Sequence, residues 1–327
     1  MKSNLLLLVA AVVVVALSFL MDSLDPYFAR MIIMAGVNIT LAVSLNLING
    51  FTGQFSLGHA GFMAIGAYLS AIVSTYMLSH GWDATGLGAT LVLILGLLVG
   101  GSFAALGGLA VGIPTLRLRG DYLAIATLGF NEIIRVVIQN VDFRIDGVSY
   151  VGGARGFSVT QLSDFISVFL VAAIAVWLVE NLVNSTYGRG FLAVRDDEVA
   201  AEAMGVNTTK FKVQAFVIGA FFAGVAGGLY SHFNNYLSPN DFTFLKSIDI
   251  VVMVILGGMG STIGVIIAAI VLTALPEFLR EFASYRMIIY SLLLIILMIA
   301  RPQGLLGPEV VRTLLKRKKH KPAAPIT

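Results

Sequence analysis

Long apolar runs separated by short polar stretches dominate the chain, at about 4–21, 30–49, 57–78, 87–112, 120–140, 163–184, 209–232, 245–260, 262–280 and 285–300. About 20 apolar residues in helical form span the roughly 30 Å hydrocarbon core of a bilayer. The pattern therefore predicts an all-α, polytopic membrane bundle of roughly ten transmembrane segments. The first run follows Lys2, and no small-residue cleavage signal follows it, so it reads as a span rather than a signal peptide. Threading the runs alternately puts Arg117, Arg119, Arg189, Arg195, Lys210, Lys212 and a basic tail on one side. Arg30, Arg144, Arg155, Lys246, Arg280 and Arg286 fall on the other. Basic residues collect in cytoplasmic loops, which predicts that both termini are cytoplasmic. The organisation expected is a transmembrane domain over 1–305 and a basic cytoplasmic tail over 306–327, where KRKKHK at 316–321 suits anionic headgroups of membrane lipid.

One polar stretch between membrane-length runs stands out, at 187–212, and its flanking Arg and Lys residues place it in the cytoplasm. It predicts a short helix with both ends marked. Asp196 is the expected N-cap, Asp197 and Glu198 suit the positive end of the helix dipole, and Gly205 is the expected stop. Val199, Ala200, Ala203 and Met204 share one face of it, leaving Asp197, Glu198 and Glu202 for the other face or the rim. Gly188 and Gly190 are expected to bend beside it. About two turns of helix are not stable in isolation, so the segment needs a surface: the bilayer, or a groove on a soluble partner.

Three rows of small residues at every fourth position predict close helix approach: Gly96–Gly100–Ala104–Gly108–Gly112, Ala220–Gly224–Gly228 and Gly260–Gly264–Ala268. Two stretches look like interrupted helices. SLNLINGFTGQFSLGHAGFMAIGAY at 44–68 carries Asn46, Asn49, Gln54, Ser56 and His59, and LGGMGSTIG at 256–264 is rich in glycine. Non-helical backbone at membrane depth is tolerated where protein buries it or where it lines a watery cavity; the alternative is a plain cytoplasmic turn. The run 120–140 holds Asn131, Glu132 and Arg135; Glu132 and Arg135 are spaced to pair, either locking the bundle or facing a pathway. Lys246 and Asp249 repeat that spacing and read as an interfacial pair.

Composition narrows the function. The chain is 58% hydrophobic and 12% charged, without cysteine, so thiolate metal sites and cysteine nucleophiles are excluded. The net charge of +3 is not a nucleic-acid signal. His59 and His232 are isolated, and no phosphate-binding, zinc-protease or serine-hydrolase motif is present, so an enzyme is not expected. No cofactor is expected on this chain; any ATP and Mg must be bound by another.

Four stretches together carry a family resemblance: the 44–68 segment, LRLRGDYLAIATLGFNEIIR at 116–135, RDDEVAAEAMGVNTTKFKVQAFVIGAFFAGVAGGL at 195–229, and ARPQGLLG at 300–307. The chain resembles the permease subunits of branched-chain amino acid ATP-binding-cassette importers, specifically the LivM-type subunit. The resemblance implies a permease for leucine, isoleucine and valine in a bacterial inner membrane. It implies as partners a second homologous permease chain, two ATP-binding subunits that hold ATP/Mg, and a periplasmic substrate-binding protein. It also implies that Asp197, Glu198, Ala200, Ala201, Glu202, Ala203 and Gly205 couple the permease to the ATPases. Asn46, Gln54, Ser56, His59, Asn131 and Glu132 are the candidates for the translocation pathway. Two alternatives stand beside this reading: a related importer permease for urea, short amides or other amino acids, and an ATP-independent secondary transporter coupled by a group such as Glu132.

Overall fold

The computed structural model describes residues 12–18, 24–115, 121–145 and 148–279, together with 288–289, 291–292, 295–296 and 299. Most of the runs expected at 4–21 and 285–300, the ARPQGLLG stretch and the tail lie outside the described residues. Among the described residues six helices are long and apolar enough to cross a membrane.

Helix α1 (Pro26–Asn46) starts at Asp25, whose carboxylate accepts the Tyr27 N–H, with Pro26 in the first turn. It runs into a wider π-helical turn, Leu47–Phe51, after which the chain is irregular to Gly58. The other long helices are α2 (His59–Ser79), α3 (Gly86–Thr115), α4 (Asp121–Asn140) and α5 (Phe165–Val183). Two short helices, α6 (Thr186–Asp196) and α7 (Glu198–Ala203), lead into the long α8 (Thr208–Asn234). The last fully described pair is α9 (Phe244–Gly257) and α10 (Thr262–Phe278). With 14 residues, α9 measures about 21 Å, too short to cross the hydrocarbon core alone. The expected run at 245–260 is thus a partial span that stops at a glycine turn.

Helices α2, α3 and α8 form the tightest part of the bundle, and α1 joins them to α5, α9 and α10. The packing follows the small-residue rows. A Cβ added at Gly66 would overlap the Gly224 backbone, and one at Gly100 would lie 2.5 Å from Gly66 O. Gly108 faces the Ala220 Cβ in the same way. In lipid such backbone-to-backbone approach, rather than apolar burial, drives helix association. The third row differs from expectation: Gly260 has φ +81° and belongs to the turn before α10, so only Gly264 and Ala268 lie on that helix.

The fold is not wholly helical. Strands β1 (Asp142–Ile145) and β2 (Val148–Gly152) make an antiparallel hairpin with an irregularity after Phe143. Strand β3 (Phe157–Ser158) pairs antiparallel with β4 (Tyr236–Leu237), which follows α8. The small sheets link the α4–α5 connection to the end of α8. Their pairing partners lie up to 80 positions apart (Phe157 and Leu237), and each strand is too short to leave a period-two signal in the sequence.

Candidate functional site

The polar stretch 187–212 folds as a foot of two helices. Phe191 and Val194 of α6 are buried, and the chain then breaks at Asp197, whose extended backbone (φ −159°, ψ 110°) separates α6 from α7. Asp197, not Asp196, is the N-cap: its Oδ1 accepts the N–H groups of Val199 (2.9 Å) and Ala200 (3.0 Å). Asp196 closes α6 and pairs with Arg195 at 2.9 Å. The expectation failed by one residue because two adjacent aspartates offer the same chemistry. Gly205 does stop α7, at φ +83°. Its N–H donates to Glu202 O (2.9 Å) and that of Val206 to Ala201 O (3.0 Å), the paired bonds of a Schellman end.

Ala201 is the inward residue of α7. Glu198 reaches Lys212 at 2.5 Å and Glu202 accepts the Thr208 hydroxyl at 2.7 Å, so two carboxylates fasten α7 to the first two turns of α8. The expected apolar face is turned away from the bundle, with Val199 62% and Met204 84% exposed and Ala200 and Ala203 exposed beside them. Gly188 and Gly190 are not hinges. They lie within α6, where a Cβ at Gly190 would strike the Phe211 ring and one at Gly188 the Val183 carbonyl.

Above the foot the two interrupted segments meet. The Asn46 side chain accepts the Gly260 N–H at 2.9 Å, and a Cβ at Gly50 would clash with both Asn46 and Gly260. Gly53 (φ +68°) turns the chain back, and Arg195 lies against it: a Cβ on Gly53 would sit 3.1 Å from Arg195 Cγ, and one on Gly260 3.1 Å from its Nη1. Arg195 therefore packs beside both breaks while its guanidinium bonds Asp196. Sequence reasoning used it only as a loop charge, and its position before the capping aspartate was the available signal.

Four of the six pathway candidates gather at this break. Asn46, Gln54, Ser56 and His59 are buried; the Ser56 N–H donates to Asn49 Oδ1 (3.2 Å) and His59 Nε2 lies 2.8 Å from Ser44 Oγ. Both amide atoms of Gln54, Asn46 Nδ2 and His59 Nδ1 are buried without a hydrogen-bond partner, which is costly in an interior and marks a polar core. The other two candidates sit on α4. Asn131 Nδ2 reaches Phe242 O (3.5 Å), and Glu132 pairs with Arg135 (2.7 Å) while accepting the Phe244 N–H (3.2 Å). They hold α4 against the start of α9 rather than joining the Asn46 cluster. Asp241, in the turn before α9, is half-buried, and desolvation pushes its carboxyl above the usual range against the pull of the Ser238 N–H and Lys246.

Lys246 and Asp249 do not form the contact ion pair expected from their spacing. Lys246 Nζ instead donates to Asn38 Oδ1 at 3.4 Å, and Asn38 Nδ2 donates to Thr273 at 2.9 Å, a chain across α9, α1 and α10. These three residues line an open pocket of about 480 Å³ at the Pro26 end of α1, away from the foot. Among the described residues no group of three or more metal-ligating side chains is assembled.

Sequence comparison places this bundle, with its interrupted polar interior and its external foot, in a family. Residues 27–300 match the family described as branched-chain amino acid transport system / permease component. The chain belongs to this permease family. It is 34% identical, over 97% of its length and 77% of the relative's, to the high-affinity branched-chain amino acid transport system permease protein LivM of Salmonella typhimurium. The corresponding LivM protein of Escherichia coli is 35% identical over 86% of this chain and 70% of that protein. The LivH permease of Salmonella typhimurium is 23% identical over 83% of this chain and 91% of its own length. No solved structure matches this chain. The chain is therefore a transport permease component.

Proposed function

We propose that this chain is one half of the translocation pathway of an ATP-binding-cassette importer for leucine, isoleucine and valine in a bacterial inner membrane. It pairs with a second homologous permease. Two ATP-binding subunits lie beneath them, and a periplasmic binding protein delivers the amino acid. The single observation that carries the reading is the outward apolar face of α7, held in place by its own carboxylates. A six-residue helix that spends its charged groups on its own bundle and presents Val199, Ala200, Ala203 and Met204 outward is shaped to enter a groove. Family membership supports the substrate class, and Arg195 offers a route by which motion of the foot reaches the Gly53 and Gly260 turns.

The mechanism follows from these contacts. Closure of the ATPase pair moves α6 and α7 together, because Gly188 and Gly190 of α6 are packed and Glu198 and Glu202 fasten α7 to α8. Arg195 carries that displacement to the interrupted segments, where the Asn46–Gly260 hydrogen bond links the turns. Asn46, Gln54, Ser56 and His59 then become exposed to the passing substrate as the break opens.

Reconstitution of the complete complex in proteoliposomes tests this. Ala203→Glu and Gly205→Pro should insert and assemble normally while ATP hydrolysis loses its coupling to leucine uptake. Uptake driven by an ion gradient without nucleotide would instead establish a secondary transporter and overturn the proposal.

A further inference from the structure

The pocket at the Pro26 end of α1 carries more charge than a packing defect in a membrane bundle would. Its wall includes two cations, Arg30 and Lys246, and two carboxylates, Asp249 and Glu277. Among the described residues neither cation has a carboxylate within ion-pair distance, and neither carboxylate has a cation within it. Ionisable groups in membrane helices are costly and, where retained, mark pathways or binding sites. The cations are nonetheless positioned. Arg30 is held by Asn234 at 2.5 Å and sits 5.9 Å from the Phe233 ring centre, and Lys246 is held by Asn38, itself bonded to Thr273.

From the juxtaposition of these separated charges with an apolar wall, we infer that the pocket binds the free amino acid as a zwitterion during its passage. Lys246 and Arg30 receive its carboxylate, and Asp249 or Glu277 receives its ammonium. The side chain lies against Met31, Met34, Met253 and Leu272. Methionine is flexible and polarisable, so a methionine-lined wall accommodates several branched aliphatic shapes with little discrimination. The volume, about 480 Å³, lies within the usual range of small-molecule sites. Its place is also suitable, because the Asn46 end of α1 lies by the foot and the pocket occupies the opposite end. This assignment rests on the transport function proposed above and adds a location and a recognition chemistry to it.

The test is equilibrium binding of tritiated leucine to the assembled permease–ATPase complex in nanodiscs, without the binding protein, alongside uptake by the same complex in proteoliposomes with it. Wild type should bind leucine saturably. Lys246→Met and the Asp249→Asn/Glu277→Gln double variant should each weaken binding about tenfold, Lys246→Arg should retain most of it, and Met34→Trp should abolish it by filling the pocket. Co-purification with the partner chains serves as the check of folding for every variant. Uptake of leucine by a complex that shows no saturable binding, or unchanged affinity in the charge variants, would overturn the site while leaving the transport function standing. Absence of any branched-chain uptake by wild type would overturn the function on which it rests. Leucine binding that appears only when zwitterionic phospholipid is omitted would assign the pocket to a lipid headgroup, and loss of the second permease in the charge variants would assign these charges to the subunit interface; either result overturns the proposal.

Discussion

Replacing Glu198 by glutamine should release the foot, and the structure sets the scale of the effect. Glu198 meets Lys212 at 2.5 Å, with the lysine side chain 9% and the glutamate side chain 27% exposed. An exposed ion pair contributes about 0–1 kcal/mol, whereas breaking a fully buried one costs about 3–5 kcal/mol because a charge is left uncompensated. The largely but not fully covered geometry here puts the loss at about 2 kcal/mol, between those limits, a factor of about 30 between docked and released α7. The remaining Glu202–Thr208 hydrogen bond, worth about 1 kcal/mol, is not enough to hold a helix this short. Hydrogen exchange at the amides of 199–204 in the complete complex should therefore accelerate about 30-fold, and more ATP should be consumed per leucine transported. The Glu198→Gln/Lys212→Met double variant should recover about 1 kcal/mol relative to the sum of the single losses, since no orphan cation remains. Wild-type exchange in Glu198→Gln, or strictly additive losses in the double variant, would refute the claim that this pair fastens the foot.

Two further substitutions probe the bundle. Gly66→Ala drives a methyl group into the Gly224 backbone and should destabilise the permease by about 1–3 kcal/mol, read as a lower melting temperature in fixed detergent; an unchanged melting temperature would show that α2 and α8 can separate freely. Asn46→Ala removes the acceptor of the Gly260 N–H and should cost about 1–3 kcal/mol, read as faster hydrogen exchange around 258–261, and unaltered exchange there would show that the two turns are not coupled through this bond.

The sequence alone determined the features that depend on local periodicity. Membrane-length apolar runs, small-residue rows and the Gly205 stop are written in residues that neighbour one another, so α2, α3, α5 and α8 fall close to where the hydropathy places them. The Glu132–Arg135 pair was legible for the same reason, being one helical turn apart. What the tertiary structure decided depends on residues far apart in the chain. Val199 and Met204 carry no mark saying that their face turns outward; that followed once Glu198 found Lys212 and Glu202 found Thr208. Lys246 looked like the partner of Asp249 and instead bonds Asn38, 208 positions away. Arg195 came to lie beside Gly53 and Gly260 only because the fold brings both turns against it. Local patterning sets which segments enter the membrane, but the charges in and around it are assigned by which helices pack together, and no short window of sequence contains that.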